Sequence, residues 1–137
     1  MAILYTDSLE GIVPGVLIGF FEGWRCPPSP QKHLDILRGS LHVVLAVDDS
    51  CNKVVGFVNA LADGHNSAFI PLLEVLPSHR HRGIGHNLMT RLLHTLRNYP
   101  CIDLTCYPDL QPFYESLGMQ GSCGMVIREY QRATSKP

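Results

Sequence analysis

Residues 80–89 read RHRGIGHNLM: two arginines and two histidines around two closely spaced glycines, running straight into an apolar helical stripe. Glycine near a helix start weakens the helix, so its presence twice needs a reason. A helix start exposes backbone amides with no intrahelical partner and carries a partial positive charge, which makes it a natural anion site. Glycine lacks a Cβ, so Gly83 and Gly85 open those amides to close approach, and Arg80 and Arg82 add charge-assisted donors. The stretch therefore predicts a phosphate cradle at the head of a helix over 84–96, where Ile84, Leu88, Met89, Leu92, Leu93 and Leu96 recur at helical spacing.

Working outward, LLEVLP immediately before the loop predicts a strand ending at Val75. LHVVLAV and KVVGFVNALA, divided by DDSCN, predict an antiparallel hairpin that feeds this strand through DGHNS. Pro71 inside AFIPLLEV has no N–H, so the pairing is expected to bulge there. ILYTD predicts a short first strand. PGVLIGFFEGW spaces Leu17, Phe20, Phe21 and Trp24 at helical intervals and predicts a first helix with an aromatic face. Ser29 and Pro30 form an N-cap and first-turn pair opening a helix that stops at Gly39. CIDLTCY predicts a strand carrying Cys101 and Cys106 on opposite faces. LQPFYESLG predicts a short helix closed by Gly118. GMVIREYQR predicts a final strand. The order predicts a mixed α/β fold with one central, mostly antiparallel sheet, in a single domain over residues 1–137.

Bulk composition narrows the function. The chain has 137 residues, 45% hydrophobic and 17% charged, enough to bury a core without staples. A net charge of -1 makes no case for nucleic acid or an acidic membrane as partner. The 5 cysteines form no C-x-x-C pair and read as buried free thiols in a reducing cytoplasm. The longest apolar run, GIVPGVLIGFF, is too short to span a bilayer and follows acidic residues instead of a basic leader. His79, His81 and His86 cluster, but their arginine neighbours repel a cation and no ligand set is completed, so no metal is expected.

Three phosphate loops can be compared with residues 80–85. A Walker loop needs a lysine after its last glycine, and His86 stands there; a dinucleotide fingerprint needs a third glycine where Leu88 stands. The coenzyme A loop, [Q/R]-x-x-G-x-[G/A], fits Arg80-His81-Arg82-Gly83-Ile84-Gly85. Together with LLEVLP and with QPFYESLGM, which is similar to a common F-Y-x-x-x-G-[FM] stretch, it makes the chain resemble the GNAT acyltransferase family.

That resemblance implies a sheet with splayed strands flanked by about four helices, and acetyl-CoA as cosubstrate. It implies that the backbone of Leu73 and Val75 pairs with the pantetheine arm. The amides of Arg80, His81, Arg82, Gly83, Ile84, Gly85 and His86 would hold the pyrophosphate. Tyr114 matches the family's general acid, which protonates the leaving thiolate. Glu74, alternating onto the opposite face from Leu73 and Val75, is the candidate base. A salt bridge from Glu74 to a nearby arginine is the competing reading. Phe20, Phe21 and Trp24 are candidates for the acceptor pocket, with an aromatic core stripe as the alternative. The glutamate of histone-acetylating relatives falls at Phe69 and is absent. An asparagine that often contacts the coenzyme falls at Tyr107, with Asp109 nearest.

The activity implied is transfer of an acetyl group to a primary amine, of a small molecule, in a ternary complex. A non-catalytic coenzyme A-binding module and a protein or peptide N-acetyltransferase remain alternatives. The family also implies a possible homodimer.

Overall fold

The structure is a computed structural model that describes residues 2–129. Five strands form one sheet in sequential order: β1 (Ile3–Thr6), β2 (His42–Asp48), β3 (Lys53–Ala62), β4 (Ser67–Val75) and β5 (Cys101–Asp103). The first four are antiparallel, and β5 runs parallel to β4. A parallel neighbour needs a long crossover, which the helix α2 (Ile84–Thr95) supplies. The other helices are α1 (Pro30–Arg38) and the short α3 (Gln111–Glu115), so the described residues hold three α-helices where about four were expected.

Local chemistry accounts for each element that matters to the site. In α1, Ser29 Oγ accepts from the Lys32 N–H at 3.1 Å, and Pro30 occupies the first turn, where a missing N–H costs nothing. Its inner side buries His33, Leu34 and Leu37. Helix α2 buries Ile84, Leu88, Met89 and Leu92, each worth roughly 1.5–3 kcal/mol when removed from water. It sits very close to β3, because a Cβ on Gly56 would come within 3.0 Å of Leu88, 3.2 Å of Ile84 and 3.4 Å of Val75. A side chain at Gly56 would lift the head of α2 off the sheet.

The sheet has two dressed faces. Val75 and Gly56 meet α2 on one. On the other, Phe57 packs edge-on against Phe20 and Phe21, with His33 between them at 4.3 Å from its ring. The β3–β4 register slips between Asn59 and Leu61, where Ile70 and Pro71 stand against Ala60. The bulge expected from Pro71 is there.

Four sequence expectations need correction. PGVLIGFFEGW is not a helix: a single 3-10 turn, Pro14–Val16, is followed by an irregular path. Gly19 and Gly23 take left-handed φ of 101° and 82°, and Phe21 joins them at 66°, values no α-helix contains. The periodicity was still a burial signal, with Leu17 at 1%, Phe20 at 9% and Phe21 at 2% exposure. Strand β5 stops at Asp103, so Cys106 lies beyond it instead of sharing a strand with Cys101. All five cysteines are free, but none is buried. GMVIREYQR forms no strand over 124–129, where Met125, Val126 and Ile127 are exposed and have no ladder to join; its remainder lies outside the described residues.

Candidate active site

Strands β4 and β5 pair only at Ser67–Cys101, Ala68–Ile102 and Phe69–Asp103, while β4 continues six residues further to Val75. Past Phe69 the two strands part, and among the described residues one edge of β4 is unpaired. Which backbone groups face that opening is set by the ladder. Leu76 N–H donates to Val55 O at 2.8 Å, and Glu74 and Leu72 stand opposite Phe57 and Asn59. Antiparallel bonding alternates, so Leu72, Glu74 and Leu76 bond toward β3, and Leu73 and Val75 turn their backbone groups toward the opening. The Val75 carbonyl already accepts from Arg80 Nε at 2.9 Å. Its N–H and the groups of Leu73 are what the edge offers an extended ligand.

At the end of β4 the chain makes a 3-10 turn, Pro77–His79, and reaches the head of α2 through an exposed loop. His81 and Gly83 take left-handed φ of 64° and 78°. Gly83 is the N-cap and has no side chain to close the helix start; the first turn contains no acidic residue. Intrahelical bonding begins with Asn87 N–H donating to Gly83 O, at 3.0 Å. The amides of Ile84, Gly85 and His86 therefore have neither a carbonyl of their own helix nor a capping oxygen. Nothing stands within 4 Å of a Cβ built on Gly83, so this amide cluster opens outward; the Ile84 side chain instead points into the core.

Gly85 joins the three motifs. A Cβ on it would stand 3.9 Å from both Val75 Cγ2 and Phe113 Cζ. The end of β4 and the glycine loop that follows it thus converge on one point with the F-Y pair, which comes from much later in the chain. Phe113 and Tyr114 pack edge-on at 5.0 Å, and Tyr114 is half-buried. Burial, with a smaller contribution from Cys106, pushes its hydroxyl above the ordinary phenol range. The hydroxyl therefore keeps its proton at neutral pH.

Glu74 is also half-buried, on the face of β4 turned away from α2. Both its oxygens accept the Phe21 backbone N–H, at 3.2 and 3.0 Å. Burial raises its proton affinity above the usual carboxylate value, opposed by the Phe21 bond and by Arg80, and reinforced by Glu22. Arg80 acts on it through charge, while its Nε donates to the Val75 carbonyl.

The remaining candidates divide. Phe20 and Phe21 are core residues, and the Phe21 ring lies 4.8 Å from that of Trp24, which is 47% exposed. Of the three, Trp24 is the one a ligand can reach. Tyr107 is 77% exposed and stands at the head of a 3-10 turn, Pro108–Leu110, that leads into α3. Arg80, His81, Arg82 and His86 line the exposed loop. His79 turns away from it, its Nε2 lying 2.9 Å from Asp48 Oδ2. Sequence reading missed that pair and the Phe21–Glu74 contact. Among the described residues no group of three metal-ligating side chains converges.

The family model described as acetyltransferase (GNAT) matches residues 12–119, and the chain belongs to that family. A crystal structure from Deinococcus radiodurans R1, provisionally assigned as an acetyltransferase, is 43% identical with a TM-score of 0.93, covering 98% of this chain and 94% of that one. A GNAT-family acetyltransferase from Streptococcus pneumoniae TIGR4 shares the fold, at 24% identity and a TM-score of 0.76 over 93% of this chain and 98% of that one. An uncharacterised N-acetyltransferase of Porphyra purpurea, ycf52, is 27% identical over 99 residues, which are 70% of this chain and 57% of the relative. The chain thus matches little more than half of that curated relative's length.

Proposed function

We propose that this chain, as a single domain over residues 1–137, transfers an acetyl group from acetyl-CoA to the primary amine of a small molecule in a ternary complex. The observation that carries the reading is the meeting of three motifs at Gly85, where an uncapped helix head opens beside the unpaired edge of β4. The residues fit the cosubstrate. The amides of residues 81–86 complement a pyrophosphate, together with the arginine side chains, while the expected Arg80 amide instead donates to Pro77 O at 3.5 Å; the Leu73 and Val75 backbone complements an amide-bearing arm.

Acetyl-CoA supplies an activated thioester carbonyl. Glu74 takes a proton from the incoming ammonium, directly or through water, and leaves the neutral amine that attacks the carbonyl. Tyr114 donates its proton toward the sulfur as the C–S bond breaks, and is refilled from the nitrogen that has just formed the amide. Two protons leave the nitrogen: one ends on sulfur, and the other, taken by Glu74, is released to solvent before the next turnover. Glu74 and the nearby Glu22 offer carboxylates to a cationic amine, with Arg80 also acting on Glu74 through its charge, and Trp24 offers an exposed ring. The free thiols are consistent with a reducing, cytoplasmic setting.

Calorimetric titration with acetyl-CoA tests the reading, using the parent chain and a variant carrying Gly83→Val and Gly85→Val. Saturable binding by the parent, lost in a variant with an unchanged circular dichroism spectrum, supports the cradle. Absence of binding by the parent overturns it.

A further inference from the structure

We infer that His79 is a positioning residue for the phosphate cradle, holding the loop to the end of β2 through Asp48. The inference rests on the reading of residues 80–86 as that cradle.

Asp48 is the last residue of β2, and its side chain is 3% exposed. One oxygen accepts from the Ser50 N–H at 2.9 Å and from the Ser50 hydroxyl at 2.6 Å. The other meets His79 Nε2 at 2.9 Å. A carboxylate only accepts, so Nε2 carries the proton; in the neutral ring Nδ1 then accepts the Ser78 hydroxyl, 2.7 Å away. These bonds hold Asp48 ionised, with its carboxyl lowered to about 2. The chain Ser78–His79–Asp48–Ser50 ties the 3-10 turn to the β2–β3 hairpin with every ring nitrogen satisfied.

The backbone just beyond His79 is where such a tie is useful. Arg80 is extended, and His81 then takes a left-handed φ of 64° before Gly83 takes 78°. A side chain in the left-handed region is disfavoured and persists only where its surroundings over-determine it. Two anchors precede His81: the His79 ring on Asp48, and Arg80 Nε on the Val75 carbonyl. With the first released, the loop samples other paths, and ordering the amides becomes a cost of binding instead of folding. The tie is no part of the antiparallel ladders of β2, β3 and β4, and releasing it costs the fold one bond to Asp48 while leaving the strand pairing in place.

The test is calorimetric titration of free coenzyme A into the parent, His79→Ala and His79→Gln, with thermal melts of each unliganded protein. The expected result is a loss of about tenfold or more in affinity for His79→Ala. Its melting temperature stays within a few degrees of the parent, and His79→Gln, whose amide reaches Asp48 as a donor, recovers most of the affinity. Equal affinity of parent and His79→Ala overturns the inference and leaves the cradle standing. Weakened binding with a collapsed melt and no recovery in His79→Gln assigns His79 a purely structural role and overturns it too. A parent that does not bind coenzyme A removes the cradle itself, and the inference with it.

Discussion

The Phe21 backbone N–H points at the Glu74 carboxylate, 3.2 and 3.0 Å from its two oxygens, although 53 residues separate them in the chain. The contact depends on Phe21 taking a left-handed φ of 66°, an uncommon state for an aromatic residue. The same residue buries its ring against Phe57 and His33, so the aromatic core fixes the backbone that holds the carboxylate. Core packing and the position of the candidate base are one arrangement. Its energetic consequence is a half-buried acid whose charged form is partly desolvated.

Glu74→Gln is expected to stabilise the protein at neutral pH and to disable it. The Glu74 carboxyl is raised in the folded state. A raised carboxyl contributes stability that is full below its unfolded value and is lost as pH rises through its folded value. Glutamine removes the charge but keeps an oxygen for Phe21. The variant should melt roughly 2–4 °C higher than the parent at pH 8, with the difference shrinking toward pH 4. Acetyl transfer at pH 8 should fall on the order of 10²-fold. A parent that melts higher at pH 8 would contradict the assignment of buried charge.

Tyr114→Phe is expected to lower turnover on the order of 10²-fold while acetyl-CoA affinity, read by titration, changes less than about twofold. Because burial raises the hydroxyl above its ordinary value of 10.0, the alkaline limb of the parent's turnover profile should lie above that pH and vanish in the variant. Unchanged turnover would place the acid elsewhere.

His33 makes a separate prediction about acid stability. Its ring is fully buried among Phe20, Phe21 and Phe57, neither nitrogen has a partner among the described residues, and burial lowers it from 6.5 to about 4. The unfolded chain binds a proton first as pH falls, so this group's stability is full above about 6.5 and is lost toward about 4. His33→Met removes both unpartnered nitrogens and should gain on the order of 1 kcal/mol at neutral pH. Urea unfolding at pH 7.5 and pH 5 checks it: the gain should be larger at pH 5, and a smaller gain there would refute the argument.

Much of the sheet was legible because each signal was local. Ser29 and Pro30 announce α1, the DDSCN turn divides β2 from β3, and Pro71 marks a bulge whatever surrounds it. The misread segment, residues 14–24, failed because two codes overlap there. Its apolar spacing does report burial, but Gly19 and Gly23 carry the backbone into left-handed states instead of a helix. Strand β5 was read too long because an apolar run does not say where its neighbour leaves it.

By itself the sequence determined the glycine-opened helix start at Gly83, since such a start is built from consecutive residues and needs no distant partner. It also placed Tyr114 in a recognisable motif. Only the tertiary structure decided which residues surround that loop. Gly85 meets Val75 and Phe113, Glu74 meets the Phe21 amide, and His79 turns from the loop to Asp48. Apart from the neighbouring Val75 and Gly85, those contacts join segments far apart in the chain, and side chains bring them together only when the two faces of one sheet are buried at once.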